Sequence, residues 1–261
     1  MSLLHHSPER SRRETLAMLA GAGVSLAMPL PAGAAANARA ILKAAFANYR
    51  AKSSHAVIEM KIRRGTTRTM TLESWTQGDR KGLVRVIAPP RDAGNATLQL
   101  GNSTYVFNPR LNQVIKLPAS AMSQSWLGSD FSYEDLSRSE KVVDDYTHRL
   151  IGSARNGGRH VDIIESVPKP GKPIVWGKQV VSVRADGVLV KVEYFDQLGK
   201  RVRVMTADKI GVLGGRPYPV VMTMKVDAKP GQYTRVTTRS AEFDIPIPAY
   251  MFTRSNLQNP R

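Results

Sequence analysis

Side chains over residues 54–243 alternate in polarity with a period of two, a pattern that suits strands with one buried face and not a helix. Ala56, Ile58, Met60 and Ile62 alternate with Val57, Glu59, Lys61 and Arg63 before a turn at Gly65. Met70, Leu72 and Ser74 then alternate with Thr71, Glu73 and Trp75, and a further strand over 83–87 stops at Pro89-Pro90. Shorter strands are expected over 98–100, 105–107 and 114–117, with later ones over 146–151, 161–165, 188–194, 202–205, 220–226 and 233–243. The gaps between them have hairpin length and carry Gly, Pro and Asn. The expectation is an antiparallel sheet with one face buried.

Two segments depart from that period. Residues 37–52 place Ile41, Leu42, Ala45, Phe46 and Tyr49 at helical spacing, with Asn37 as the expected cap. Residues 118–140 are irregular, with short helices expected near 118–122 and 133–136. Glu134 and Asp135 read as first-turn acids, favourable at a positive helix end. No repeat, low-complexity linker or composition break interrupts 37–261, which reads as a single domain.

The first 36 residues have the three-part layout of a bacterial export signal: a basic stretch, a mild apolar stretch from Ala17 to Leu30, and small residues ending in Ala34-Ala35-Ala36. Ser11-Arg12-Arg13-Glu14-Thr15-Leu16 resembles the twin-arginine signal, which makes Arg12 and Arg13 the expected recognition pair. Thr15 and Ala17 stand where Phe and Lys are usual. The apolar stretch is shorter than the ~20 residues of a spanning helix and is broken by prolines. A periplasmic location is therefore expected, with cleavage between Ala34 and Ala38.

Charge and chemistry narrow the function classes. The chain carries +17 from 38 basic and 21 acidic side chains; the first 36 residues hold a net +1 of this, leaving +16 in the remainder. Such a surface attracts anionic partners. The arginines at 63–64, 201/203 and 235/239 are spread along strands as a solvated face, without the compact basic run or aromatic-basic motif of nucleic-acid readers. No nucleic-acid partner is expected; an anionic membrane surface is. With no cysteine, thiolate metal sites, a catalytic thiol, disulfides and an acylated anchor are excluded. His55, His148 and His160 share no ligand spacing. Gly128-Ser129-Asp130 lacks the second glycine of a nucleophile elbow, and Gly211-Val-Leu-Gly214-Gly215 lacks the Lys-Ser/Thr of a phosphate loop and reads as a turn. No catalytic residue, metal or cofactor is expected, and the chain does not read as an enzyme.

The irregular segment carries the most specific signal. Asn108-Pro109-Arg110-Leu111-Asn112-Gln113-Val114-Ile115-Lys116-Leu117-Pro118 is followed by Ser125-Trp126-Leu127-Gly128-Ser129-Asp130-Phe131-Ser132-Tyr133-Glu134-Asp135-Leu136. This resembles the periplasmic outer membrane lipoprotein-sorting family, relatives of the carriers LolA and LolB. Val192–Asp196, the 217–224 strand and the ending Phe252–Leu257 fit more weakly. The resemblance implies a mainly β fold: a strongly curved antiparallel sheet, an incomplete barrel, with short helices on its concave side. It also implies a hydrophobic cavity for lipid or the acyl chains of a lipid-modified protein, carried towards the outer membrane. Some members look like non-catalytic companions of inner-membrane RND-type exporters, which is the alternative. Burial gains ~0.8 kcal/mol per CH₂, so a chain of about fourteen carbons contributes on the order of ten kcal/mol. The candidate ligand-binding residues are the strand residues Met60, Met70, Leu72, Tyr194, Met222 and Met224 and the irregular-segment residues Trp126, Leu127 and Phe131. The methionines suit a ligand of variable shape.

Overall fold

The structure, a computed structural model, describes residues 32–138, 142–172 and 174–261. Most of the expected export segment, with Arg12 and Arg13, lies outside the described residues. Among those described, helix α1 (Ala32–Arg50) precedes strands β1 (Ser53–Arg64), β2 (Thr66–Gln77), β3 (Lys81–Ala88), β4 (Ala96–Leu100), β5 (Ser103–Asn108) and β6 (Gln113–Lys116). Two short helices, α2 (Tyr133–Arg138) and α3 (Val142–Asp145), follow in the irregular segment. The chain continues as β7 (Tyr146–Asn156), β8 (Arg159–Pro168), β9 (Lys178–Arg184), β10 (Leu189–Phe195), β11 (Arg201–Leu213), β12 (Arg216–Val226), β13 (Tyr233–Phe243) and helix α4 (Arg254–Gln258).

All thirteen strands form one sheet in the order β6-β5-β4-β3-β2-β1-β13-β12-β11-β10-β9-β8-β7. Every pairing is antiparallel; consecutive strands are neighbours except β6 and β7, and β13 returns to pair with β1 at the centre. Tight turns make the meander possible. Gly65 alone links β1 to β2 at φ 76°, and Gly214 and Gly215 link β11 to β12 at φ 54° and 76°, conformations that glycine adopts without strain. The sheet does not close into a barrel, because its two edges, β6 and β7, do not pair.

The sheet is strongly curved. Thr104 of β5 and Gln179 of β9 line one cavity, although nine strand spacings separate these strands in the sheet order. Laid flat at ~4.8 Å per strand they would stand roughly 43 Å apart. Helix α1 lies inside the curve, where Ala38, Leu42 and Ala45 pack with Val181, Val183, Leu189, Val192 and Met224. The helix begins earlier than its periodicity suggests, so Asn37 lies within it rather than capping it. The alanine-rich run at its start favours helix intrinsically and extends it without needing an apolar face.

The C-terminal segment covers the opposite face of β3–β5. Leu83, Leu98 and Phe107 pack there with Phe252 and Leu257. Arg85 is buried beneath and donates to the carbonyls of Asn256 (2.6 Å) and Leu257 (3.3 Å), so α4 is tied to the sheet by both apolar and polar contacts. Helix α4 is capped by Thr253, whose hydroxyl accepts from the Asn256 N–H at 3.1 Å.

Candidate functional site

Because β6 and β7 are opposite edges of an open sheet, the chain between them must cross from one edge to the other. Among the described residues of that crossing, 117–138 and 142–145, Trp126, Phe131, Leu136 and Val142 line the concave face. They cover, with largely irregular chain, part of the side that an incomplete barrel leaves open. The cavity, which is partly open to solvent, has a volume of about 300 Å³, at the lower end of the ~300–1,000 Å³ of small-molecule sites. Its walls come from both halves of the sheet, from α1 and from the crossing segment, and are mainly apolar: Phe46 of α1, Ile58 and Met60 of β1, Leu72 of β2, Val181 of β9, Val192 of β10, Met205 of β11, Met222 of β12 and Val236 of β13 all face it.

The crossing segment is fixed by a set of polar clamps rather than by a sheet ladder. The Trp126 indole N–H donates to the Thr97 hydroxyl at 3.1 Å, in a buried contact. Arg64 of β1 donates to the Gly128 carbonyl (3.0 Å) and the Asp130 carboxylate (2.9 Å). Thr234 of β13 donates to the same carboxylate at 2.8 Å and accepts the Asp130 N–H at 2.9 Å. Arg68 of β2 reaches the Leu127 carbonyl at 3.3 Å while paired with Asp92 at 2.7 Å. Leu127 itself sits at φ 52°, the left-handed region that places its neighbours Trp126 and Gly128 for these contacts.

Arg203 of β11 is the deepest clamp. Its side chain is 6% exposed and forms a two-pronged pair with Asp135, one hydrogen bond being 2.8 Å. The guanidinium also lies over the Trp176 and Tyr194 rings, 4.3 and 4.1 Å from their centroids. Burial works against the Arg203 charge, but Asp135 outweighs it and holds the group above the ordinary arginine range. Burial likewise pushes the Tyr194 phenol well up. Asp135 also completes a reciprocal cap at the start of α2. Its carboxylate accepts from the Ser132 N–H (2.7 Å), and its own N–H donates to the Ser132 hydroxyl (3.3 Å). The Ser-x-x-Asp spacing thus sets the start of the helix and aims one acid at the sheet.

Residues 78–259 match a family model whose description reads "Uncharacterized protein". The chain belongs to that family. Three solved structures share the fold. A DUF1329-family protein from Desulfovibrio piger superposes with a TM-score of 0.78 at 20% identity, over 86% of this chain and 99% of that one. A domain named for outer membrane lipoprotein sorting from Vibrio parahaemolyticus gives 0.74 at 24% identity, over 86% and 99%. A LolA-superfamily protein from Nitrosomonas europaea gives 0.69 at 18% identity, over 84% and 98%. The resemblance read from the sequence therefore holds at the level of the fold. No curated protein matches the chain.

Of the nine candidate ligand-binding residues, the structure places Met60, Leu72, Trp126, Phe131, Tyr194 and Met222 on the cavity wall. Met70 and Met224 are fully buried behind it, in packed clusters with Val86 and with Val181 respectively. Leu127 packs against the Met60 cluster without lining the cavity. Sequence reasoning missed Phe46, Ile58, Val181 and Val236, which are ordinary apolar positions until the curvature brings them together. It also treated the arginines as a solvated face. Arg203 overturns that for its own position: it is buried because Asp135 neutralises it and two aromatic rings flank it. Leu189 lines the cavity together with Val192, although strict alternation puts them on opposite faces. A register shift between Leu189 and Lys191 reverses the parity there.

Proposed function

We propose that the domain over 37–261 is a periplasmic carrier that holds an acyl chain, of lipid or of a lipid-modified protein, for transfer towards the outer membrane. It does so without catalysing a reaction. The observation that carries this reading is the apolar cavity of about 300 Å³ walled by both halves of an open sheet and partly covered by the segment that crosses between its edges. The fold is that of proteins named for lipoprotein sorting and for the LolA superfamily, which supports it. A flexible wall rich in methionine, here Met60, Met205 and Met222, accommodates chains of differing shape. The twin-arginine-like residues 1–36 deliver the chain to that compartment and are removed there. The basic surface supplies docking to an anionic membrane or to an inner-membrane exporter, through attraction that is independent of the cavity.

The reading is tested by purifying the protein from its native compartment and analysing an organic extract by mass spectrometry. We expect acyl lipid at close to one molecule per chain. An extract free of acyl lipid, from protein that also fails to take up added fatty-acyl probe, contradicts the carrier reading.

A further inference from the structure

We propose that the ligand is an uncharged amphiphile, its ester or hydroxyl head against a patch of hydroxyls on β2 to β5 and its acyl chain along the apolar half of the cavity. This rests on the cavity reading above and adds the ligand's chemical class. The register of β1 to β5 places inward-facing residues in rows across the sheet, and successive rows are two residues, or ~7 Å, apart. One row is Ser54, Thr76, Gly82, Gln99 and Thr104, each paired with the next. The second is Ala56, Ser74, Val84, Thr97 and Val106. The third, Ile58, Leu72 and Val86, is apolar. From the first two rows Ser74, Thr76, Thr97, Gln99 and Thr104 line the cavity, so hydroxyls and an amide are gathered on one part of its wall. Among the described residues of β9 to β13, the polar side chains on the wall are Gln179 and Tyr194. Both are engaged: Gln179 donates to the Tyr146 hydroxyl at 3.2 Å, and the Arg203 guanidinium lies over the Tyr194 ring. A cavity for an undifferentiated hydrocarbon has no use for such a patch, because every polar group on its wall costs desolvation.

The patch offers protons to an acceptor. Thr97 Oγ1 accepts the Trp126 N–H at 3.1 Å and keeps its own proton. In the Ser54–Thr76 pair, 2.7 Å apart, one hydroxyl donates and the other keeps its proton. Thr104 Oγ1 donates to Gln99 Oε1 at 2.8 Å, which fixes the amide in the row. Thr97 and Thr104 are buried, so the patch is part of the interior and not a rim bathed in water. Gly82 sits mid-row, and a Cβ there would meet nothing nearer than 3.8 Å, which leaves room for a head above the row. The charged side chains on the wall, Arg50, Glu134, Asp135 and Asp145, are all engaged by the protein. Asp135 is matched by Arg203 and Asp145 by Lys172 at 2.8 Å, and Arg50 and Glu134 have partners of their own. An ionic head drawn among them loses its water without gaining an unmatched countercharge. An ester carbonyl or hydroxyl oxygen loses far less and accepts the protons of the patch.

Ester and hydroxyl heads share this chemistry, so the test uses both. Displacement of a fluorescent fatty-acyl probe is measured at pH 8, where a carboxylate is ionised. The competitors are monomyristoylglycerol, methyl myristate, myristate, tetradecyltrimethylammonium and 1-bromotetradecane, which share one chain length. At least one of the two neutral esters is expected to bind about tenfold more tightly than either ion and than the bromide, as two hydrogen bonds would give. Tight binding of both esters assigns the head contact to the ester carbonyl, and of the glyceride alone to its hydroxyls. In the double variant Ser74→Ala, Thr76→Val the ester-to-bromide ratio should fall at least about threefold. Should that protein not fold, Ser74→Ala alone, which removes a single oxygen, should lower the same ratio. An ion that binds the native protein as tightly as the better ester, or a ratio unchanged by these substitutions, overturns the proposal while leaving the cavity reading standing. Binding of none of the five overturns both.

Discussion

Arg203 carries a full charge on the inner face of the sheet, and its environment explains why it is tolerated. Its carboxylate partner Asp135 is itself only 12% exposed, so each group depends on the other. Removing one member of such a pair leaves the other's charge buried and uncompensated, at a cost of about 3–5 kcal/mol, whereas replacing both with apolar groups costs much less. We expect Asp135→Asn to destabilise the protein by an amount in that range in urea unfolding, and the double variant Asp135→Leu, Arg203→Met to recover most of the loss. Additive losses in the double variant would mean that the pair does not act as a unit. None of this was legible in the sequence, where Arg201 and Arg203 look alike. Arg201 lies at the surface, paired with Glu193 and Asp227. What separates them is a partner 68 residues away in sequence.

At the scale of elements, the crossing segment links sequence motif to function. Its Ser-Trp-x-Gly-Ser-Asp-Phe stretch is distinctive in the sequence, and the structure gives its residues separate tasks. Trp126 fills space over the cavity, Gly128 and Leu127 present carbonyls to arginines, and Asp130 binds Arg64 and Thr234. The sequence showed that this segment breaks the strand pattern and bears aromatic residues. It did not show the arginine clamps, since these come from strands on either side of the central β1–β13 seam. We expect Trp126→Phe, which keeps an aromatic ring but loses the hydrogen bond to Thr97 and part of the indole's packing, to cost about 1–2 kcal/mol. Trp126→Ala, which empties a buried site, should cost about 3–5 kcal/mol. Urea midpoints check both, and equal costs would mean that the ring's packing contributes nothing. The strands themselves were largely visible, because alternation reports one buried face directly. Bulges were not, and the one near Leu189 moved a residue onto the cavity wall.

For the whole molecule, topology decides what the cavity is. A meander that leaves from the sheet centre to one edge and returns to the centre from the other must carry a connection between the edges, and here its residues Trp126, Phe131 and Leu136 lie on the concave side. The open sheet and the crossing segment are therefore one device, and the cavity is their shared interior. The central claim is that this interior, and not the basic surface, holds the ligand. Val84 faces the cavity from β3 without being fully buried, so a larger side chain there extends into the empty volume rather than into packed core. The direct measurement is the affinity of a fluorescent fatty-acyl probe for Val84→Trp and the native protein, at low ionic strength and at 1 M salt, where screening shortens to ~3 Å. We expect the substitution to weaken the probe at least about tenfold at both salt concentrations, with thermal unfolding little changed and the native affinity insensitive to salt. Native-level affinity in the folded Val84→Trp protein, or a probe stripped from the native protein by salt alone, would contradict the account.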